Sequence, residues 1–93
     1  MKIYQSSSFE KKVKKMSQPE KELLDREIRR IAGDPGIGEG KKGDLREMFV
    51  HKFKYKTTEY LLAYRVVDGD LELVMIGPHE NYYRDLKKYL QSR

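Results

Sequence analysis

The sequence predicts an α+β domain in the order β-α-α-β-β-β-α. A small antiparallel sheet is packed by an N-terminal helical hairpin and a C-terminal helix. Three observations carry this. Two serine capping boxes open stretches with helical apolar spacing in the first third. From Leu45 the period switches to two and holds until Ile76. After Gly77-Pro78 helical spacing returns.

Each element follows from its residues. Lys2-Ile3-Tyr4-Gln5 alternates as a short first strand. Ser7 stands three before Glu10, and Phe9, Val13 and Met16 recur at helical intervals, giving a first helix over roughly 8–16. Ser17-Gln18-Pro19-Glu20 is a second capping box with proline in the first turn. Leu23, Leu24, Ile28 and Ile31 make one stripe, so a second helix spans about 18–32. Residues 33–43 hold five of the seven glycines and one proline and read as a loop. That loop matches no nucleotide-binding pattern.

Phe49, His51, Phe53 and Tyr55 then share one strand face, and Val50, Lys52, Lys54 and Lys56 the other. Thr57-Thr58 turns the chain, and Glu59 to Val67 is a second long strand. Asp68-Gly69 is a hairpin turn, and Leu71 to Ile76 is an apolar run suited to a central strand. His79 to Leu90 reads as the last helix, with Tyr82 or Tyr83, Leu86 and Leu90 as its stripe. Residues 1–93 form one domain, because 93 residues are too few for two cores.

Composition narrows the function. There is no cysteine, which removes disulfides, thiolate nucleophiles and cysteine-ligated metals. The two histidines lie on different elements, so no metal or other cofactor is expected. No apolar stretch is long enough to span a membrane and no signal peptide opens the chain, so a cytoplasmic location is expected. The net charge is +5, and residues 41–56 contribute six basic against two acidic side chains. Lys52, Lys54 and Lys56 put ammonium groups roughly 7 Å apart along one strand face. Such a row either blunts a solvated edge or tracks a phosphodiester backbone. His79 sits where a strand gives way to a helix, either as a packing group or as a proton-transfer group. His51 shares its face with aromatics and reads as structural. Metal-free RNA cleavage suits this inventory. The substrate's own 2′-OH attacks, and the protein moves two protons and stabilises charge.

The element order, Met48-Phe49-Val50-His51-Lys52-Phe53-Lys54, Tyr60-Leu61-Leu62-Ala63-Tyr64-Arg65-Val66 and Ile76-Gly77-Pro78-His79-Glu80-Asn81-Tyr82-Tyr83 together resemble the RelE/ParE superfamily of bacterial type II toxins. The resemblance covers essentially the whole chain and is strongest over 44–90. It implies a microbial RNase-like fold and a cognate antitoxin partner in a hetero-oligomer. It also implies one of two activities. RelE-like members cut mRNA in the ribosomal A site, while ParE-like members bind DNA gyrase and lack the nuclease residues. Lys52 and Lys54 match the K-x-K strand of RelE. Gly77, His79 and Tyr83 match the G-x-H pattern of the YafQ branch with its following aromatic. The strand arginine of RelE falls on Leu61, and Arg65 is the nearest replacement.

The expectation is a ribosome-dependent, metal-independent endoribonuclease that inhibits translation. His79, Lys52, Lys54, Arg65 and Tyr83 form its catalytic set. Lys41, Lys42, Arg46, Lys56 and Tyr82 contact mRNA and rRNA. The alternative is a gyrase inhibitor without nuclease activity.

Overall fold

The computed structural model describes residues 1–46 and 48–92. The chain runs β1 (Ile3–Gln5), α1 (Ser7–Lys14), α2 (Gln18–Gly33), β2 (Glu39–Gly40), β3 (Phe49–Tyr55), β4 (Thr58–Val67), β5 (Asp70–Pro78) and α3 (Tyr82–Gln91). Spatial order in the five-stranded sheet is β1-β5-β4-β3-β2. The β3-β4-β5 meander is antiparallel as expected. Two details differ from the sequence reading. The glycine-rich loop contributes the two-residue strand β2, and β1 joins β5 in parallel. The second follows from connectivity: β1 feeds the helical hairpin, which carries the chain across the sheet to the opposite edge.

The starts of α1 and α2 are set by side-chain caps. Ser17 and Glu20 form the expected capping box at α2. At α1 the cap is Ser6 rather than Ser7: its Oγ accepts from the Phe9 N–H at 3.0 Å and donates to the Val74 carbonyl at 2.5 Å. One hydroxyl thus starts a helix and fixes it to β5.

β4 is the shared wall of two cores. Leu62 and Tyr64 face the helical hairpin and meet Phe9, Leu24, Ile31, Leu71, Leu73 and Ile76. Leu61 and Ala63 face α3 and meet Met48, Val50, Val74, Tyr82, Leu86 and Leu90. All four β4 residues have no exposed surface. An irregularity in β5 makes this possible. Ala63 pairs with Met75 but Tyr64 with Leu73, so Val74 is an extra residue. The bulge switches parity: Leu73 and Ile76 both reach the hairpin core while Val74 serves the other.

Two polar contacts tie loops and helices to the sheet. The Tyr64 hydroxyl donates to the Pro35 carbonyl and accepts from the Gly38 N–H, closing the glycine-rich loop over the sheet. A Cβ on Gly38 would lie 2.6 Å from that hydroxyl, which is why glycine stands there. The Tyr60 hydroxyl donates to Glu20 Oε2 at 2.5 Å, joining β4 to the start of α2. Buried His51 lies against α2, its Nε2 2.7 Å from Glu27 Oε1, in the structural role expected of it.

Two outcomes are expected. Tyr64→Phe should cost about 1–3 kcal/mol by stranding the Gly38 N–H. Gly38→Ala should also destabilise, and the double variant should cost less than the sum, because both disturb one contact. Urea melts of the four proteins measure the coupling, and strict additivity would contradict the contact. The second concerns pH. The hydrogen bond to Glu20 pushes the Tyr60 phenol up to about 12, and the bond from Tyr60 holds the Glu20 carboxyl below its ordinary value. A raised phenol stabilises the fold fully below its unfolded value of about 10. That stabilisation is lost as pH rises toward about 12. The Tm gap between wild type and Tyr60→Phe should therefore narrow between about pH 9 and about pH 11. A gap unchanged over that range would contradict the bond.

Candidate functional site

The face of the sheet that α3 only partly covers carries the candidate chemistry. Along β3, Val50 is buried under α3, whereas Lys52 and Lys54 on the same face are exposed. Strand pairing places their neighbours. Lys52 lies opposite Leu61, which lies opposite Gly77. Lys54 lies opposite Glu59, whose carbonyl accepts the His79 N–H at 2.9 Å. Two parallel rows thus cross the sheet. One reads Lys52, Leu61, Gly77; the other reads Lys54, Glu59, His79. With strands about 4.8 Å apart, Lys54 and His79 stand roughly 10 Å apart at the backbone. That gap leaves room for a phosphate between them.

His79 is exposed at the end of β5. It is not in the first turn of the last helix, as the sequence suggests. Asn81 takes a left-handed backbone, and α3 begins only at Tyr82. His79 instead forms the turn itself, its carbonyl accepting the Tyr82 N–H. Its ring meets the edge of Tyr83 at 6.5 Å between centroids. The Lys41 ammonium sits 5.1 Å from the centre of the same Tyr83 ring. Tyr83 therefore links the histidine to the loop before β3.

Glu39 on β2 adds a counter-charge. It hydrogen-bonds Lys41, and that bond, with charge from Lys41 and Lys52, holds its carboxyl below the usual range. The same bond holds the Lys41 ammonium above its ordinary value. Lys41 is thus engaged with both Glu39 and Tyr83, while Lys52 projects beside it.

The other expected site residues fall in different places. Tyr82 is buried, donates to the Met75 carbonyl at 2.7 Å and packs over Gly77. Burial pushes its phenol far up. Its ring belongs to the core and is closed to a base, which leaves half-buried Tyr83 as the more open ring of the two. Lys42 and Arg46 are exposed in the loop before β3, Arg46 with a left-handed backbone. Lys56 leaves the lysine row. Lys56-Thr57 rather than Thr57-Thr58 makes the turn, Lys56 has φ 55°, and its ammonium lies over Tyr55. Arg65 shares the face of Leu61 but lies four residues along, roughly 13 Å away. There it is ion-paired with Glu72, beside Tyr4 and Val67. The structure therefore groups Lys52, Lys54, His79, Tyr83 and Lys41, and leaves Arg65 at the far end of the sheet.

Glu59 and Glu39 are the residues that sequence reasoning missed. Glu59 depends on the hairpin register: a turn at 57–58 would set Lys54 opposite Leu61, whereas the turn at 56–57 sets it opposite Glu59. Among the described residues no group of three or more histidine, cysteine or acidic side chains is placed to hold a metal. Among them, too, no helix is long and apolar enough to cross a membrane.

Solved structures similar to this one share the fold. The intact Escherichia coli RelBE toxin–antitoxin complex matches with TM-score 0.68 and 20% identity, over 85% of this chain and 96% of that one. The isolated E. coli RelE toxin matches with TM-score 0.65 and 19% identity, over 95% and 97%. A double arginine-to-alanine mutant of E. coli RelE in the free state matches with TM-score 0.72 and 17% identity, over 99% and 95%. No curated protein matches the chain in sequence. The model of a sequence family does match, over residues 3–87, so the chain belongs to the ParE-like toxins of type II bacterial toxin–antitoxin systems.

Proposed function

We propose that the chain is the toxin of a two-component system and acts as a metal-independent endoribonuclease on mRNA at the ribosome. The observation that carries the reading is the exposed pair Lys52 and Lys54 on the same open sheet face as His79. In this reading the 2′-OH of one nucleotide attacks the adjacent phosphorus. A cyclic 2′,3′-phosphate forms, and the 5′-oxygen of the next nucleotide leaves with a proton. Lys52 and Lys54 neutralise the charge that builds on the phosphoryl oxygens. His79 transfers a proton at the reacting centre. Tyr83 offers its accessible ring to a base. Lys42 and Arg46, and Lys56 in the β3–β4 turn, attract the RNA backbone. Arg65 has no part, because Glu72 holds it at the far end.

The toxin acts in the cytoplasm and is held silent by a cognate antitoxin. A solved RelBE complex with this fold supports such a partner. A second reading rests on the ParE-like description of the matched family: a gyrase poison that leaves RNA intact.

Expression without the antitoxin, followed by primer extension on a translated mRNA, separates the two. New 5′ ends inside the message are expected. His79→Ala and Lys52→Ala should each reduce them by about 10²-fold. Full cleavage by both variants would overturn the assignments. DNA breaks with intact message would favour the gyrase reading.

A further inference from the structure

Among the described residues no strand lies beside the outer edge of β5 beyond Leu73, because β1 pairs with Leu71–Leu73. α1 runs along that edge instead. Two hollows open there, and both are lined by Lys12, Ile76, Gly77 and Pro78. A third hollow, of about 400 Å³, lies between α1 and α3 and is lined by Ser7, Ser8, Lys11, Lys12, Lys15 and Tyr89. Lys12 is common to all three, so they form one trough. One end is Pro78, the residue before His79; the other is the lysine-rich face of α1.

The lining of the third hollow is chemically one-sided. Among the described residues Lys11, Lys12 and Lys15 enter no ion pair within 4 Å, whereas Lys14 pairs with Glu10 at 3.7 Å. Serine hydroxyls and the Tyr89 ring complete the third hollow, and among the described residues no carboxylate lines it. Acidic groups do line the two edge hollows. Glu20 is there, bonded to Tyr60, and Glu80 and Asp85 stand on the α3 side. They repel a phosphate from that wall and leave α1 as the wall that holds it. Pro78 supplies no N–H, which blunts this edge against an added strand. Unpaired ammonium groups with an aromatic wall are the parts of a single-strand nucleic-acid groove.

We propose that this trough holds nucleotides flanking the cut in the same RNA strand, their phosphates carried by Lys11, Lys12 and Lys15. The inference rests on the endoribonuclease reading and extends it. It makes the substrate a strand several nucleotides long, gripped on α1 as well as at the sheet.

The test uses 2′-O-methyl RNA, which lacks the attacking hydroxyl and cannot be cut. Oligonucleotides of about 4 and about 12 nucleotides are bound across a salt series. Each lost phosphate contact lowers the salt slope by about 0.7 for a single strand. The Lys11→Ala/Lys12→Ala/Lys15→Ala variant should therefore show a slope smaller by about 2 for the long strand and no change for the short one. An unchanged slope for the long strand, with binding lost in Lys52→Ala/Lys54→Ala, overturns the trough and keeps the nuclease reading. Wild type binding neither strand overturns the trough and leaves the ribosome-dependent nuclease reading to primer extension. Equal effects on RNA and on vesicles of anionic phospholipid would overturn the trough as an RNA groove.

Discussion

The constraint on which the rest of the molecule depends is the burial of β4 on both faces. Leu61 to Tyr64 have no exposed surface, so each face of this strand needs its own cover. The helical hairpin covers one and α3 the other. Among the described residues the three α-helices supply most of that cover, to this strand and its neighbours. The bulge at Val74 is part of the same solution, because it lets β5 supply side chains to both cores. A core substitution on β4 such as Leu62→Ala removes contacts that no other element replaces, and such changes cost about 2–5 kcal/mol.

The same constraint decides where chemistry sits. The centre of the sheet presents apolar Leu61 and the bare backbone of Gly77 beneath Tyr82. Charged and titratable groups therefore enter from the flanks: Lys52 and Lys54 from β3, Glu59 from the start of β4, His79 from the end of β5. Two ammonium groups about 7 Å apart in water repel by only about 0.6 kcal/mol. The fold tolerates that, and in the proposed reading an arriving phosphate relieves it. Glu39 and Glu59 temper the field locally without ending it, since residues 39–59, which include both, still carry six basic against four acidic side chains.

Much of this was legible in the sequence because it rests on periodicity. The two helices, the Asp68-Gly69 turn and the alternating β3 face follow from spacing alone, as does the placement of His51 under the hairpin. What was hidden rests on register and long-range contact. The position of the first hairpin turn decides whether Lys54 faces Leu61 or Glu59, and Lys56 in a left-handed conformation is not a pattern a sequence advertises. The capture of Arg65 by Glu72 needed the β4–β5 pairing. The burial of Tyr82 rather than Tyr83 depended on where α3 begins, and that is set by Asn81. The charged groups were therefore visible as residue types, and their grouping was not.

The central claim is that one sheet face, between β3 and the end of β5, takes an mRNA phosphate. A structure of this chain bound to a ribosome carrying uncleavable mRNA tests it most directly. The account expects one phosphate of the message within hydrogen-bond reach of Lys52 or Lys54, with the His79 ring beside it. A message lying against the outer surface of the helical hairpin, or a ribosome that does not bind the chain, would contradict it.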